Sequence, residues 1–264
     1  MVQTRAVCEV LDDLRDEGEE LDRLVAGLPE WEWRRATPAP GWTVAHQIAH
    51  LAWSDRQALL AVTAPDAFRR EVERATPAFV DDAAAEGAAG PPGELLRRWR
   101  DGRAVLRGTL AEQPPGARHP WFGPPMATAS VATARLMETW AHGQDVADAL
   151  GTTRQPTARL RHVAHIAVRT RDFAFRLRGL PPPESEFRIE LTAPGDELWA
   201  YGPEDAAQRV TGAALDLCLL ATRRRHRADL ALRAEGADAD RWLDLAQAFA
   251  GPPGAGREPG GGAA

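Results

Sequence analysis

The sequence predicts an α plus α+β protein, with a four-helix bundle over residues 1–152 and a smaller α+β domain over residues 153–251. Two observations lead to this prediction. Four stretches of about 20 residues carry apolar side chains at helical spacing, separated by loops rich in proline and glycine. Shorter segments with alternating apolar and polar residues follow, as in β-strands. Residues 252–264 are rich in glycine and proline, which predicts a disordered tail.

The first two helices are indicated by their apolar spacing and by the residues at their ends. Apolar residues recur from Val7 to Leu28 among acidic residues and arginines, which predicts an amphipathic helix with one core face. Pro29 ends it, because proline disfavours helical backbone in the residue before it. Thr43 is the predicted N-cap of the second helix, which runs to about Val62.

The third and fourth helices follow a looser stretch that begins after Pro65 and is rich in alanine and glycine over 83–93. The third spans about 94–113 and is broken by a Pro-Pro-Gly sequence. The fourth runs from Thr128 to Leu150 and ends at Gly151, because glycine favours the left-handed backbone found at helix C-termini. Between them, 119–125 forms an aromatic, proline-rich loop, interpreted either as a lid or wall over a metal site or as a packed aromatic loop.

The second domain alternates between helical and extended patterns. We predict three helices and three strands there. The helices cover 157–177, 206–222 and 238–249, and the strands cover 188–192, 198–201 and 229–233.

Composition excludes several classes of protein. The net charge of −6 argues against a nucleic-acid partner, since such proteins are usually basic. Cys8 and Cys218 are far apart and form no CxxC pattern, which argues against a thiolate zinc site or a disulfide framework. There is no apolar run of membrane-spanning length and no signal-peptide pattern. We therefore expect a cytoplasmic protein without a membrane partner, and the pattern does not indicate an oligomeric state.

Histidines and one glutamate form a candidate metal site. Glu138 and His142 are four residues apart and lie on one face of the fourth helix, and His46 and His50 have the same spacing on the second. If these helices face each other, His50 completes a set of two histidines and one carboxylate. Such a set leaves coordination positions open on zinc or on non-haem iron. The alternative is a hydrogen bond between Glu138 and His142 without a metal.

These segments carry a family resemblance. Gly41-Trp42-Thr43 and Ile48-Ala49-His50-Leu51, followed later by the segment from Glu138 to Asp145, resemble the mycothiol-dependent maleylpyruvate isomerase family. The segments 136–150 and 237–251 are similar to a branch of that family known only for metal binding. The resemblance implies a DinB-like metal-binding bundle followed by a sterol-carrier-like α+β domain. It also implies His50, Glu138 and His142 as ligands of Zn²⁺ or another divalent metal.

The resemblance further implies a function. The open position of the metal would take water or a small thiol, in this family mycothiol, and the partner would be a small electrophile. Zinc would deprotonate the thiol, and the protein would act as a transferase or isomerase. An arginine that follows the helix at 211–222 would bind a carboxylate, and Arg223 is the best match by position.

Two alternatives stay open at this point. The protein could be a non-catalytic, metal-dependent module that binds a small ligand. Arg223 could equally be a solvated basic residue at a helix end, where the helix dipole favours a positive charge.

Overall fold

The computed structural model describes residues 2–260, with side chains described from residue 7. The chain divides into two compact units, Met1–Thr153 and Arg154–Ala264. No helix within the described residues is long and apolar enough to cross a membrane.

The N-terminal unit is helical, as predicted. Its helices are α1 (Val2–Val25), α2 (Val44–Thr63), α3 (Pro65–Glu73), α4 (Phe79–Ala88), α5 (Pro92–Ala111) and α6 (Thr128–Leu150). The four long helices α1, α2, α5 and α6 correspond to the four that the sequence predicts. The short helices α3 and α4 correct the prediction of a looser stretch, which the alanine-rich and glycine-rich composition had suggested.

Helix α2 lies at the centre of this unit and packs against α3, α4, α5 and α6. The shared apolar core contains Ile48 and Leu51 from α2, Leu21 from α1, Trp99 from α5 and Val146 from α6. Burial of such side chains is the main stabilising contribution to a bundle of this size. A buried ion pair also joins two of the helices, because Nε of Arg135 on α6 lies 2.9 Å from a carboxylate oxygen of Asp55 on α2.

The ends of α6 are set by local structure. Strands β1 (Arg118–His119) and β2 (Met126–Ala127) form a short antiparallel hairpin that leads directly into the helix. At the other end Gly151 adopts the left-handed conformation, with φ of 65°. A residue with a Cβ would be strained in this conformation. The prediction that Gly151 ends the helix is therefore confirmed.

The C-terminal unit combines four helices and a four-stranded sheet. Its helices are α7 (Leu160–Arg169), α8 (Arg171–Arg176), α9 (Ala214–Ala221) and α10 (Ala237–Leu245). Its strands are β3 (Phe187–Thr192), β4 (Leu198–Tyr201), β5 (Gln208–Ala213) and β6 (Arg233–Glu235), in the order β4-β3-β5-β6. The pair β3 and β5 is parallel, with Ile189 opposite Val210, and the other two pairs are antiparallel.

Three predictions for this unit were wrong in detail. The helix predicted at 206–222 begins only at Ala214, because Gln208–Ala213 pairs along its whole length with β3. The helix predicted at 157–177 is interrupted at Thr170. The strand predicted at 229–233 instead lies at Arg233–Glu235, after a short 3-10 turn. Pairing with strands distant in sequence overrides local propensity at β5 and β6.

Candidate metal centre

Two neighbouring helices of the N-terminal unit position the predicted metal ligands. His50 lies on α2, while Glu138 and His142 lie one turn apart on α6. The two helices pack against each other, so the facing sides bring the three side chains together. One possible ligand atom from each residue lies within 4.8 Å of the others. The structure therefore contains the candidate triad that the sequence spacing suggested.

A single carboxylate oxygen lies between the two imidazoles. Oε2 of Glu138 is 3.3 Å from Nε2 of His50 and 3.2 Å from Nε2 of His142. The centroids of the two imidazole rings are 4.4 Å apart. The side chain of His50 is 10% exposed and that of Glu138 is 22% exposed, so small molecules can still reach the carboxylate.

The electrostatic environment keeps this carboxylate ionised. Burial on its own raises the pKa of Glu138, because it disfavours the charged form. Hydrogen bonds from His142 and His50 act in the opposite direction and outweigh burial, so the pKa of Glu138 lies well below its ordinary value. An anionic oxygen beside two imidazole nitrogens is a typical set of donors for a divalent cation.

Residues 14–147, just over half of the chain, match the family model described as the mycothiol maleylpyruvate isomerase N-terminal domain. The chain belongs to the mycothiol maleylpyruvate isomerase family. Two relatives from Mycobacterium tuberculosis, from strains CDC 1551 and H37Rv, are described as uncharacterized proteins. Each is 57% identical to this chain over 93% of its length and 96% of theirs.

Solved structures support the fold of this family member. A crystal structure of the mycothiol-dependent maleylpyruvate isomerase is similar, with a TM-score of 0.58 and 18% identity, over 83% of this chain and 89% of that one. A histidine-to-alanine mutant of the same enzyme gives a TM-score of 0.56 over the same shares of the two chains. At 18% identity, the similarity to these two structures shows a shared fold and nothing further. Separately, residues 183–235 match a model described as wyosine base formation.

A chain of hydrogen bonds behind His142 sets which of its ring nitrogens carries the proton. The Thr37 hydroxyl donates to the Trp42 carbonyl at 2.9 Å, so its oxygen accepts from Nε2 of Gln47, also at 2.9 Å. The amide oxygen of Gln47 must then face His142, whose Nδ1–H donates to it. This assignment rests on the network of donors and acceptors. In the neutral imidazole this leaves Nε2 with a lone pair directed at Glu138, so Nε2 donates to that carboxylate only when the His142 ring carries a second proton.

The residues fit a bound divalent metal. A neutral His142 ring directs a lone pair toward a carboxylate oxygen, and this contact is unfavourable unless a proton or a cation lies between them. Nδ1 of His50 is also buried, with no hydrogen-bond partner within residues 2–260. Metal-binding histidines usually donate their second N–H to an oxygen, as His142 does to Gln47.

Two tryptophans enclose the imidazoles. The Trp42 ring stacks on His142 at 5.9 Å and contacts His50 at 5.4 Å, while Trp53 contacts His50 at 5.7 Å. The Trp42 indole N–H donates to Asp81 of α4 at 3.0 Å, which holds the ring in place. These aromatic rings exclude water from one side of the triad.

The other predicted residues fall in different places. His46 is not part of the triad, because its Nδ1 accepts from the backbone N–H of Thr43 and caps the start of α2. His119 is buried, and its Nε2 lies 3.0 Å from the Thr128 hydroxyl at the start of α6.

Arg223 follows α9 with φ of 63°, and its guanidinium has no hydrogen-bond or ion-pair partner among the described residues. Burial and the nearby Arg178 both lower the pKa of Arg223.

Sequence reasoning missed Gln47, Thr37 and Trp42 as parts of the site. Gln47 precedes His50 by three residues and so shares its helix face, and this spacing was a usable signal. Thr37 and Trp42 lie on a loop, where spacing gives no indication of direction.

Proposed function

We propose that this protein binds one divalent metal ion, zinc in the first instance, through His50, Glu138 and His142. The observation that carries the proposal is the convergence of two imidazole nitrogens on one ionised carboxylate oxygen. Three protein ligands leave at least one position open on zinc, which is typical of catalytic rather than structural sites. A bound zinc ion would supply Lewis acidity and would lower the pKa of a coordinated thiol.

We further propose that the protein is a thiol-dependent transferase or isomerase, with mycothiol as the thiol and a small electrophile as the second substrate. Membership of the mycothiol maleylpyruvate isomerase family supports the thiol. In this proposal Trp42 and Trp53 hold water away from the imidazoles, and Gln47 keeps the Nε2 lone pair of His142 directed at the metal. The cytoplasm, where low-molecular-weight thiols are kept reduced, is the proposed location.

Arg223 is the proposed contact for a carboxylate on the thiol or on the electrophile. Its half-buried guanidinium has no acidic partner in the described chain. An anionic ligand would offset the free-energy cost of burying this positive charge. We expect Arg223→Met to raise KM for a carboxylate-bearing substrate about tenfold or more, with a smaller change in kcat. Arg241→Met, at an exposed position on α10, is the matched control and should leave KM unchanged.

Metal analysis of the purified protein tests the site first. We expect about one zinc ion per chain in the wild type and less than a tenth of that in Glu138→Gln, because the amide lacks the negative charge that the cation requires. Glu184→Gln, at an exposed position of the C-terminal unit, is the control and should keep full metal content. Equal metal in wild type and Glu138→Gln would remove Glu138 from the site.

Two alternatives are separated by further measurements. A non-catalytic, metal-dependent binding module would carry the metal but would not consume mycothiol with any electrophile. An iron site built on the same three residues would show iron rather than zinc after anaerobic purification, since both metals accept this donor set.

A further inference from the structure

A continuous series of aromatic rings leads away from the triad within the N-terminal unit. Trp53 contacts His50 at a ring-centroid distance of 5.7 Å and stacks on Phe122 at 6.3 Å, with 29° between the ring planes. Phe79 contacts both Trp53, at 5.5 Å, and Phe122, at 5.7 Å. Trp53, Phe79 and Phe122 are all partly exposed. We call these three residues the aromatic wall.

The aromatic wall is held rigidly with respect to the metal triad. Phe122 lies in the loop between β1 and β2, and this hairpin runs directly into α6, which carries Glu138. Behind the wall, the fully buried Phe68 of α3 contacts Phe122 edge-to-face at 5.2 Å. Edge-to-face and offset-stacked rings are the preferred arrangements of aromatic pairs. The wall is therefore a supported surface rather than a loose loop.

The polar contacts near the inner end of the aromatic wall involve two carboxylates and one paired arginine. Within the described residues the polar partners of the Glu138 carboxylate are His50 and His142 alone. On the tryptophan side, Asp81 accepts from the Trp42 indole N–H. The buried arginine of α6, Arg135, is already paired with Asp55. Apart from a bound metal ion, these contacts therefore offer an anionic group beside Trp53 no unpaired cation of the protein.

We propose that the electrophile presents a flat, uncharged aromatic or conjugated group, which lies against Trp53, Phe79 and Phe122 beside the metal site. This inference rests on the proposed function and specifies its substrate class. A flat ring would extend the offset stacking already present between Trp53 and Phe122. A small dianionic electrophile would gain nothing from this surface.

Equilibrium binding to the metal-loaded full-length protein tests the inference without turnover. By titration calorimetry we expect unreactive 1,3-dinitrobenzene to bind more tightly than maleate, a flat dianion. In Phe122→Ala its affinity should fall about tenfold, the order expected when one stacked ring is lost. Phe122→Leu keeps apolar bulk without a flat ring and should give an intermediate loss if the alanine variant folds poorly. Phe173→Ala, at an exposed phenylalanine of the C-terminal unit, should change nothing.

Turnover separates this inference from the proposed function. With mycothiol and 1-chloro-2,4-dinitrobenzene, a sulfur–carbon bond forms, the carbon–chlorine bond breaks, chloride leaves and the thiol proton passes to solvent. We expect kcat/KM for this substrate to fall about tenfold in Phe122→Ala and by less in Phe122→Leu, while kcat/KM for the small substrate iodoacetamide stays within about twofold in both.

The possible outcomes are distinct. If dinitrobenzene binding depends on Phe122 but no electrophile is turned over, the proposed thiol-transfer function is wrong and the inferred ligand class is supported. Dinitrobenzene that fails to bind the wild type, or that binds the Phe122 variants equally well, would overturn the inference whatever the turnover.

Discussion

The two histidines of the candidate triad differ in the contacts of their Nδ1 atoms. His142 donates its Nδ1–H to Gln47, which is held in turn by Thr37, whereas Nδ1 of His50 is buried without a partner in the described chain. The two imidazoles are therefore not equivalent. His142 is oriented by protein before any metal binds, so it is the better preorganised of the two.

This difference predicts the effect of Gln47→Leu. The substitution removes the acceptor that holds the His142 tautomer, and we expect the metal dissociation constant to rise about 10-fold to 100-fold. Competition with a chromogenic chelator measures the change. Gln57→Leu is the matched control, because Gln57 is a buried glutamine of the same helix that donates to Glu71 and not to the triad. Equal weakening in both variants would mean that Gln47 acts through the packing of α2 alone.

Between elements, an ion-pair cluster joins α1 to α5. Asp22 of α1 accepts two hydrogen bonds from Arg100, at 2.6 and 2.7 Å, and one from Arg103 at 2.8 Å. Hydrogen bonding from Arg100 lowers the pKa of Asp22, and together with the positive charge of Arg103 it outweighs the opposing effect of burial. A bidentate guanidinium pair of this kind is stronger than an ordinary exposed ion pair.

The lowered pKa of Asp22 predicts a pH dependence of stability. The carboxylate stabilises the folded state fully above its unfolded pKa of about 3.9, and this contribution is lost as the pH falls through the lower folded pKa. Between pH 7 and about pH 3 the metal-free wild type should therefore lose more unfolding free energy than Asp22→Asn. Urea titrations at the two pH values measure this loss. Asp66→Asn, at an exposed acid of α3, should behave like the wild type.

Across the molecule, the metal triad belongs to the N-terminal unit alone, and Arg223 belongs to the C-terminal unit. The triad joins α2 and α6, which are separated in sequence by α3, α4 and α5. A metal ion bound there would cross-link the two helices in the folded state and would have no preformed site in the unfolded chain. Metal binding should therefore stabilise the unit in which the ion lies.

Removal of the metal tests this expectation. At a free metal concentration of about 100 times Kd, binding contributes about 2.7 kcal/mol. For a unit of this size we expect chelation to lower the Tm of the transition that includes the bundle by roughly 5–10 °C. Differential scanning calorimetry with and without chelator measures the shift. Glu138→Gln should melt at the same temperature in both conditions, and a chelator effect of wild-type size in that variant would point to metal bound elsewhere.

The sequence by itself determined those parts of the protein that depend on local physics. Helices α2 and α6 were predicted because their apolar spacing, the Thr43 cap and the Gly151 end act within a few residues. The same local geometry placed Glu138 and His142 on one helix face. The candidate triad could therefore be proposed as two pairs of residues before any fold was known, and the family resemblance selected among them.

Only the tertiary structure decided what depends on contacts between distant segments. His50 was already predicted as the ligand, but only the packing of α2 on α6 explains why His50 faces Glu138 while His46 caps the start of α2. Strand β5 was predicted as helix because its apolar residues suit either structure, and pairing with β3 made it extended. Helices α3 and α4, which carry Phe68 and Phe79, were missed because short helices are stabilised by packing more than by their own propensity.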